Sequence, residues 1–381
     1  MDYDVIIAGL GAMGSSAAYH LSRHRLRVVG IDRFQPPHTL GSSHGATRII
    51  REAYFEHPSY VPLVQRAYEL WTELENAAGR KLLLQTGGLM IGPPDGALVR
   101  GALRSAAEHK LPHQVLSEKQ LREQFPAFNP GENDVAVHEP RAGVLYPERA
   151  IQTHLELASR NGADLRFNDP ITHWEPFRGG VRVTTAGGTF LGRKLLLTVG
   201  PWLSSLISGL RLPLTVERQV MCWFEPKARP EIFAPEHCPI FILENDPGQF
   251  FYGFPDLGDG VKLGVHHRGE TVSPDKVRRE IALVEIEQAR QLLEEHLPSA
   301  AGRFRSAVVC LYTNTPDEHF LLDFYPACPQ VLIASPCSGH GFKFSSVIGE
   351  IAGDLLQEEK VRFDLSLFKL SRLLRASTPS P

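Results

Sequence analysis

The chain is poor in the features that mark several large classes of protein. Its five cysteines, at 222, 238, 310, 328 and 337, are scattered, odd in number and without a Cys-x-x-Cys pair. That argues against a disulfide framework and against a zinc site, so no metal is expected. No apolar run approaches the roughly 20 residues of a membrane-spanning helix. The N-terminus leads into a strand-like segment without the basic-then-apolar layout of a secretion signal. Charge of one sign is also missing: 40 basic residues stand against 43 acidic ones, a formal net charge of −3, with no long single-sign run. Nucleic acid and anionic membranes are therefore not expected as partners. No internal repeat or low-complexity tract interrupts the 381 residues before the tail after Ala376. Length alone points to about two domains, and the default is a soluble, cytoplasmic protein.

What is present begins with Asp4–Ala8, a short apolar strand, followed by Gly9-Leu-Gly11-Ala-Met13-Gly14 and a helix of small residues, 15–21. A second strand, 27–32, then ends in an acid, Asp32, with Arg33 behind it. This is the full dinucleotide fingerprint. Gly9 makes the turn, Gly11 lets the backbone approach a pyrophosphate, and Gly14 lets helix pack on strand. The helix N-terminus faces the phosphates, and the Asp32 carboxylate can accept from ribose hydroxyls.

A polar loop over 36–54 follows and contains Gly41-Ser42-Ser-His44-Gly-Ala-Thr47-Arg48-Ile-Ile-Arg51. Helical periodicity is expected over 60–76, 97–109, 147–160 and 273–297, and strands over 86–91, 181–185 and 195–199. The run Thr198-Val-Gly200-Pro-Trp202 reads as a return to the nucleotide domain. Residues 215–267, rich in aromatic and β-branched types with regular turn signals, read as an antiparallel sheet. Near the C-terminal end, Cys310-Leu-Tyr312-Thr-Asn-Thr-Pro-Asp-Glu-His319 and Ser338-Gly339-His-Gly341-Phe342-Lys343 stand out. The second lies between an apolar segment and an amphipathic one, where its glycines would let backbone N–H groups approach a ring or an anion. The expected architecture is α/β with two interleaved domains: 1–85, 145–214 and 310–381 form a nucleotide domain, and 86–144 with 215–309 form a domain built on a mixed or antiparallel sheet.

With these segments in order along nearly the whole chain, the sequence resembles the monomeric sarcosine oxidase group of flavoprotein amine oxidases, with N-methyltryptophan and L-pipecolate oxidases as relatives. The resemblance implies a glutathione-reductase-like Rossmann domain for FAD joined to a substrate domain. It implies one FAD per chain, a small secondary amino acid and dioxygen as partners, and a monomer. Cys310 matches the cysteine bonded through sulfur to the flavin 8α carbon, a role that needs an electropositive setting. Arg51 and Lys343 match the pair that binds the substrate carboxylate, with bidentate and point-charge geometry respectively. Lys262 matches the lysine associated with oxygen activation, where a fixed charge stabilises superoxide as it forms. His44 and Arg48 match residues lining the flavin ring, and Tyr252, His266 and Tyr312 match the substrate pocket. The implied reaction oxidises the C–N bond to an imine and reduces oxygen to hydrogen peroxide. Three departures bear on pocket shape: Ser43 and Ala46 replace a histidine and an acid of the commoner motif, and Pro336-Cys337 precedes the glycine loop.

Without the resemblance, plainer readings hold. Cys310 is a small core residue in an apolar stretch, and Cys337 is a second thiol beside the glycine loop that matches no attachment site. Arg48 and Arg51 read plainly as solvated loop charges, against which their place around two isoleucines suggests directed burial, and a buried arginine needs an anion partner. Lys262 alternates with apolar residues and reads as an outward strand position. His266 reads equally well as a hydrogen-bonded structural histidine. The alternative functions are an NAD(P)-dependent dehydrogenase, a flavin-dependent dehydrogenase using a carrier other than oxygen, and a non-catalytic flavoprotein.

Overall fold

Tyr3–Ala8 is buried from Val5 onward and lies in an eight-stranded sheet, parallel to Val28–Ile31 on one side and Thr189–Leu197 on the other. Such continuously apolar strands are what a parallel sheet covered on both faces requires. The computed structural model describes residues 1–207, 209–335 and 338–375; Pro336, Cys337 and the tail from Ala376 lie outside the described residues. Asp164–Arg166 extends the sheet beyond Val28–Ile31. On the other flank Cys328–Ser335 pairs parallel with Thr189–Leu197, and Leu321–Tyr325 closes the edge antiparallel. The sheet thus draws strands from three distant stretches of chain. Helix Ala12–Ser22 packs against Pro147–Arg160 and Ser345–Leu356. Close approach to the last is possible because a Cβ on Gly349 would run into Ser16.

A nine-stranded sheet forms the second layer. Thr215–Phe224, Ile240–Asp246, Gln249–Phe254 and Val261–His266 pair antiparallel, as the aromatic-rich pattern over 215–267 led us to expect. The sheet is nevertheless mixed, because Gly88–Gly92 adds parallel to Ile240–Asp246 and is followed outward by Val135–Glu139 and Gln114–Ser117. Phe304–Asn314 pairs along the far side of Thr215–Phe224, with Cys310 opposite Gln219. The boundary placed at 310 therefore falls inside a strand, and residues through Asn314 run with the nine-stranded sheet.

Two segments differ from expectation. Part of the polar loop over 36–54 is a strand, Arg48–Ile50, which joins Gly143–Leu145 and Leu83–Gln85 in a small third sheet. The helix expected over 273–297 is helical only from Leu283 to His296. Upstream, the Arg278 and Glu280 carbonyls accept from the Arg218 guanidinium at 2.7 and 3.0 Å, which turns those peptides away from helical pairing. Glu285 then caps the Ala282 N–H at 2.7 Å and sets the start.

Candidate active site

The two ends of the chain meet around a cavity of about 310 Å³. At the fingerprint, Gly9 has φ +86°, and a Cβ there would meet the Thr198 carbonyl at 2.7 Å. The Thr198 hydroxyl donates to the carbonyls of Ala8 and Gly9 at 2.9 and 2.7 Å, so the expected return of 198–202 to this domain is direct contact. A Cβ on Gly14 would strike the Gly9 carbonyl, whereas over Gly11 nothing lies within 4 Å. Asp32 is buried and accepts from the Leu10 and Phe34 N–H groups at 2.6 and 2.8 Å, which leaves it further lone pairs. Met13, Arg33, Gly200 and Trp202 line the same cavity, with the Arg33 guanidinium 4.7 Å from the Trp202 ring. A turn closed at Gly9 and Gly14 but open at Gly11, with a buried acid beside it, fits a dinucleotide.

Around Cys310 the wall is electropositive. Arg48 donates to the Cys310 sulfur at 3.4 Å and to the Ser42 carbonyl at 2.8 Å, and the thiol reaches the same carbonyl at 3.3 Å. Cys310 is also a buried core residue, packed with Met221 and Trp223. Of the remaining thiols, Cys222, Cys238 and Cys328 are unpaired and buried away from this cavity.

Beyond the thiol, two cations share one wall. Arg51 is 2% exposed and its guanidinium donates to Glu56 at 2.6 and 2.8 Å and to the Ala53 carbonyl at 2.9 Å. The anion that a buried arginine needs is thus an internal carboxylate five residues on. Lys343 donates to the His340 carbonyl at 2.8 Å and to the Tyr54 hydroxyl at 3.4 Å. Burial, then the neighbouring Arg51, push its pKa down to about 7. Tyr54 in turn hydrogen-bonds the His340 ring.

Gly339, Gly341 and Phe342 complete the far wall. Gly339 has φ +77°, and a Cβ there would collide with the rings of Tyr312 and His266. The glycine loop is tied to the Cys310–His319 segment by Ser338, whose N–H donates to the Thr313 carbonyl at 2.7 Å. Tyr252, His266 and Tyr312 line the cavity. His266 also hydrogen-bonds the Tyr312 hydroxyl at 3.4 Å, and burial holds its pKa well below the usual imidazole range.

Four expected site residues stand behind the wall rather than on it: Gly14, His44, Thr47 and Lys262. Lys262 is not an outward strand residue. It is 1% exposed and donates to the Gly45 carbonyl at 2.7 Å and to the Thr47 carbonyl and hydroxyl at 3.0 and 2.9 Å. Burial, then the Arg48 charge, push its pKa well down. His44 is buried beside it with neither ring nitrogen partnered among the described residues, and burial with the Arg48 charge lowers it to about 3. Glu56, Tyr54 and His340 were missed by the sequence reading. Only the general need of a buried arginine for an anion signalled Glu56.

The family described as FAD dependent oxidoreductase (DAO) matches residues 4–355. The chain is 44% identical over 378 residues to a monomeric sarcosine oxidase of Streptomyces avermitilis, covering 98% of each chain. It is 37% identical over 374 residues to an N-methyl-L-tryptophan oxidase of Yersinia pestis, covering 98% of this chain and 100% of that one. In fold it is similar to an L-proline dehydrogenase from P. horikoshii, with a TM-score of 0.85 at 18% identity over 99% of both chains. No helix among the described residues is long and apolar enough to cross a membrane, and no cluster of three metal-binding side chains occurs among them. The matched span of residues, together with a fingerprint turn that fits the dinucleotide, shows that the chain belongs to the DAO family of FAD dependent oxidoreductases.

Proposed function

We propose that the protein is an FAD-dependent oxidase of small secondary α-amino acids, of the sarcosine or L-pipecolate kind. The C–N bond is oxidised to an imine that water hydrolyses, and dioxygen is reduced to hydrogen peroxide. The observation that carries this reading is the pair of buried cations, Arg51 and Lys343, on the wall of the cavity that also holds Cys310 and the fingerprint turn. The amine-oxidising relatives at 37–44% identity support it.

Gly9, Gly11, Met13, Asp32, Arg33, Gly200 and Trp202 would hold the nucleotide half of FAD. Ser42, Arg48, Gly339, Gly341 and Phe342 would surround the ring, and Cys310 would carry the covalent link. When bound, the flavin supplies the two-electron chemistry that no side chain can. The chain's own residues do the rest. Arg51 and Lys343 take the substrate carboxylate, which shares or displaces the bond between Arg51 and Glu56. His266, kept neutral by burial, offers the substrate amine a hydrogen-bond partner rather than a strong base, and the ammonium proton must be lost before the amine can be oxidised. Tyr252 and Tyr312 close the apolar side around the substrate. Lys262 donates to three oxygens of the 45–47 turn, which uses all three N–H groups of an ammonium against the burial that opposes it, and a positive charge there favours reduction of oxygen to an anion. We take the enzyme to be a cytoplasmic monomer.

The test is anaerobic mixing of the purified protein with sarcosine, L-pipecolate, D-pipecolate, L-proline, N-methyl-L-tryptophan and glycine. Bleaching of the yellow colour by secondary amino acids, with peroxide on admitting air, is expected. If dithionite bleaches the protein and none of the amines does, the substrate class is wrong and the roles of Arg51 and Lys343 fall first.

A further inference from the structure

Glu139 ends the strand Val135–Glu139, opposite Gly88 in the nine-stranded sheet, and is 1% exposed. Among the described residues its carboxylate meets no cation at hydrogen-bond distance. Instead one oxygen accepts from the Glu52 N–H at 2.6 Å and the other from the Ala53 N–H at 2.8 Å. These are the two peptide units directly after Arg51. The Ala53 carbonyl then accepts from the Arg51 guanidinium at 2.9 Å, while the Tyr54 and Phe55 rings flank that guanidinium at 4.3 and 4.6 Å. A continuous path therefore runs from the Glu139 carboxylate through residue Ala53, in at its N–H and out at its carbonyl, to the cation. Glu52 stands beside Glu139, itself buried and paired at 3.0 Å with the half-exposed Arg141. The Tyr68 hydroxyl donates to the Arg141 carbonyl at 2.8 Å. Burial raises the Glu139 pKa to about 7 although both N–H donors oppose the rise. A carboxylate kept there is thus costlier than a neutral amide would be.

We propose that Glu139 is a positioning residue for substrate carboxylate binding: by accepting from both N–H groups of the 52–53 turn, it holds the Ala53 carbonyl where it fixes the Arg51 guanidinium. This rests on the reading of Arg51 as a carboxylate ligand given above. The chemistry at Glu139 is specific to a carboxylate. A glutamine offers one acceptor oxygen and sets its NH2 against the second N–H, donor to donor, so the turn must shift. A displacement of about 1 Å at a binding group costs up to about 10²-fold.

The experiment compares holoenzyme of wild type, E139Q, E139D, R51Q and the double variant E139Q/R51Q, with sarcosine and L-pipecolate as substrates. E139Q is expected to raise KM by about 10–100-fold while kcat stays within about 3-fold of wild type. E139D keeps both acceptor oxygens one methylene short, and its KM is expected between the two. The rise should vanish in the R51Q background, because a residue acting through Arg51 has nothing left to position. A wild-type KM in E139Q, or an equal rise with and without Arg51, overturns the inference while leaving the functional reading intact. If E139Q gives no soluble holoenzyme, E139D against E139D/R51Q makes the same comparison. If the wild type is bleached by neither substrate, the functional reading fails and this inference fails with it.

Discussion

Replacing Lys343 with methionine should make the protein more stable and a poorer binder of substrate. The side chain is 5% exposed, and burial followed by the Arg51 charge lowers its pKa to about 7. At 1.36 kcal/mol per pH unit, the fall from 10.5 to about 7 sets a ceiling of about 5 kcal/mol on the cost of keeping the ammonium buried. The sign follows from proton binding. Between pH 10.5 and 7 the unfolded chain holds this proton and the folded one does not, so stability is lost as pH falls through that window. Below 7 the penalty is complete. Methionine, of similar shape, removes it but leaves the His340 carbonyl without its donor, a loss of about 1–3 kcal/mol. The cation also lies 5.2 and 5.5 Å from the Tyr54 and Phe344 rings, contacts of about 0.5–2 kcal/mol that are lost as well. The net is a gain of up to about 3.5 kcal/mol at pH 6 and a small loss at pH 10, where the burial penalty has nearly gone and the His340 carbonyl still lacks its donor, read by thermal unfolding of the holoenzyme at the two pH values. A charge-assisted hydrogen bond to substrate carboxylate is worth about 1.5–3 kcal/mol, so KM should rise by about 10-fold or more at pH 6. The wild-type KM should also climb above pH 7 as Lys343 loses its proton, and that of K343M should not. A variant that is less stable at pH 6 and has an unchanged KM would refute the reasoning.

Three further outcomes are expected. In C310A the yellow colour should pass into the supernatant on acid precipitation, whereas in wild type it should stay with the protein; release from both would remove the covalent link. In K262M the reduced enzyme should react with oxygen about 10²–10³-fold more slowly, with reduction by substrate nearly unchanged; equal reoxidation traces in stopped flow would withdraw Lys262 from that step. In E56Q the rival carboxylate leaves Arg51, so KM should fall at pH 6, where Lys343 keeps its proton. At pH 8 KM should rise instead, because Glu56 is the charge that supports the Lys343 ammonium; a change of one sign across both pH values would show that the two effects are not coupled in this way.

Local pattern carried the nucleotide end of the site, since Gly9 to Asp32 is a strand, turn, helix and strand whose parts touch each other. The far wall was legible only as two separate motifs, because their meeting depends on Ser338 bonding to Thr313 across 25 residues. Lys262 defeats an alternation argument for a physical reason: Val261–Gly264 is buried on both faces of its sheet, so no outward side exists there. Arg51 could be read as needing an anion, but nothing in the spacing separates Glu56 from Glu52, and Glu52 turns to Arg141. The overlong helix at 273–297 arose because helical composition continues through 273–282, while Arg218, far away in sequence, claims the carbonyls. Glu139 was invisible, since its partners are backbone N–H groups 86 and 87 residues away.

Cys310 sits on a strand of the nine-stranded sheet, whereas the fingerprint turn belongs to the eight-stranded one. A flavin bonded at that sulfur and gripped at Gly9 would therefore be a cross-brace between two layers of the protein as well as a reagent. A freely dissociating cofactor stabilises its host only in proportion to the logarithm of its concentration, and dilution strips it away. A tethered one meets its nucleotide site at a fixed effective concentration however dilute the enzyme. The enzyme would then keep both its colour and its interlayer brace where free flavin is scarce.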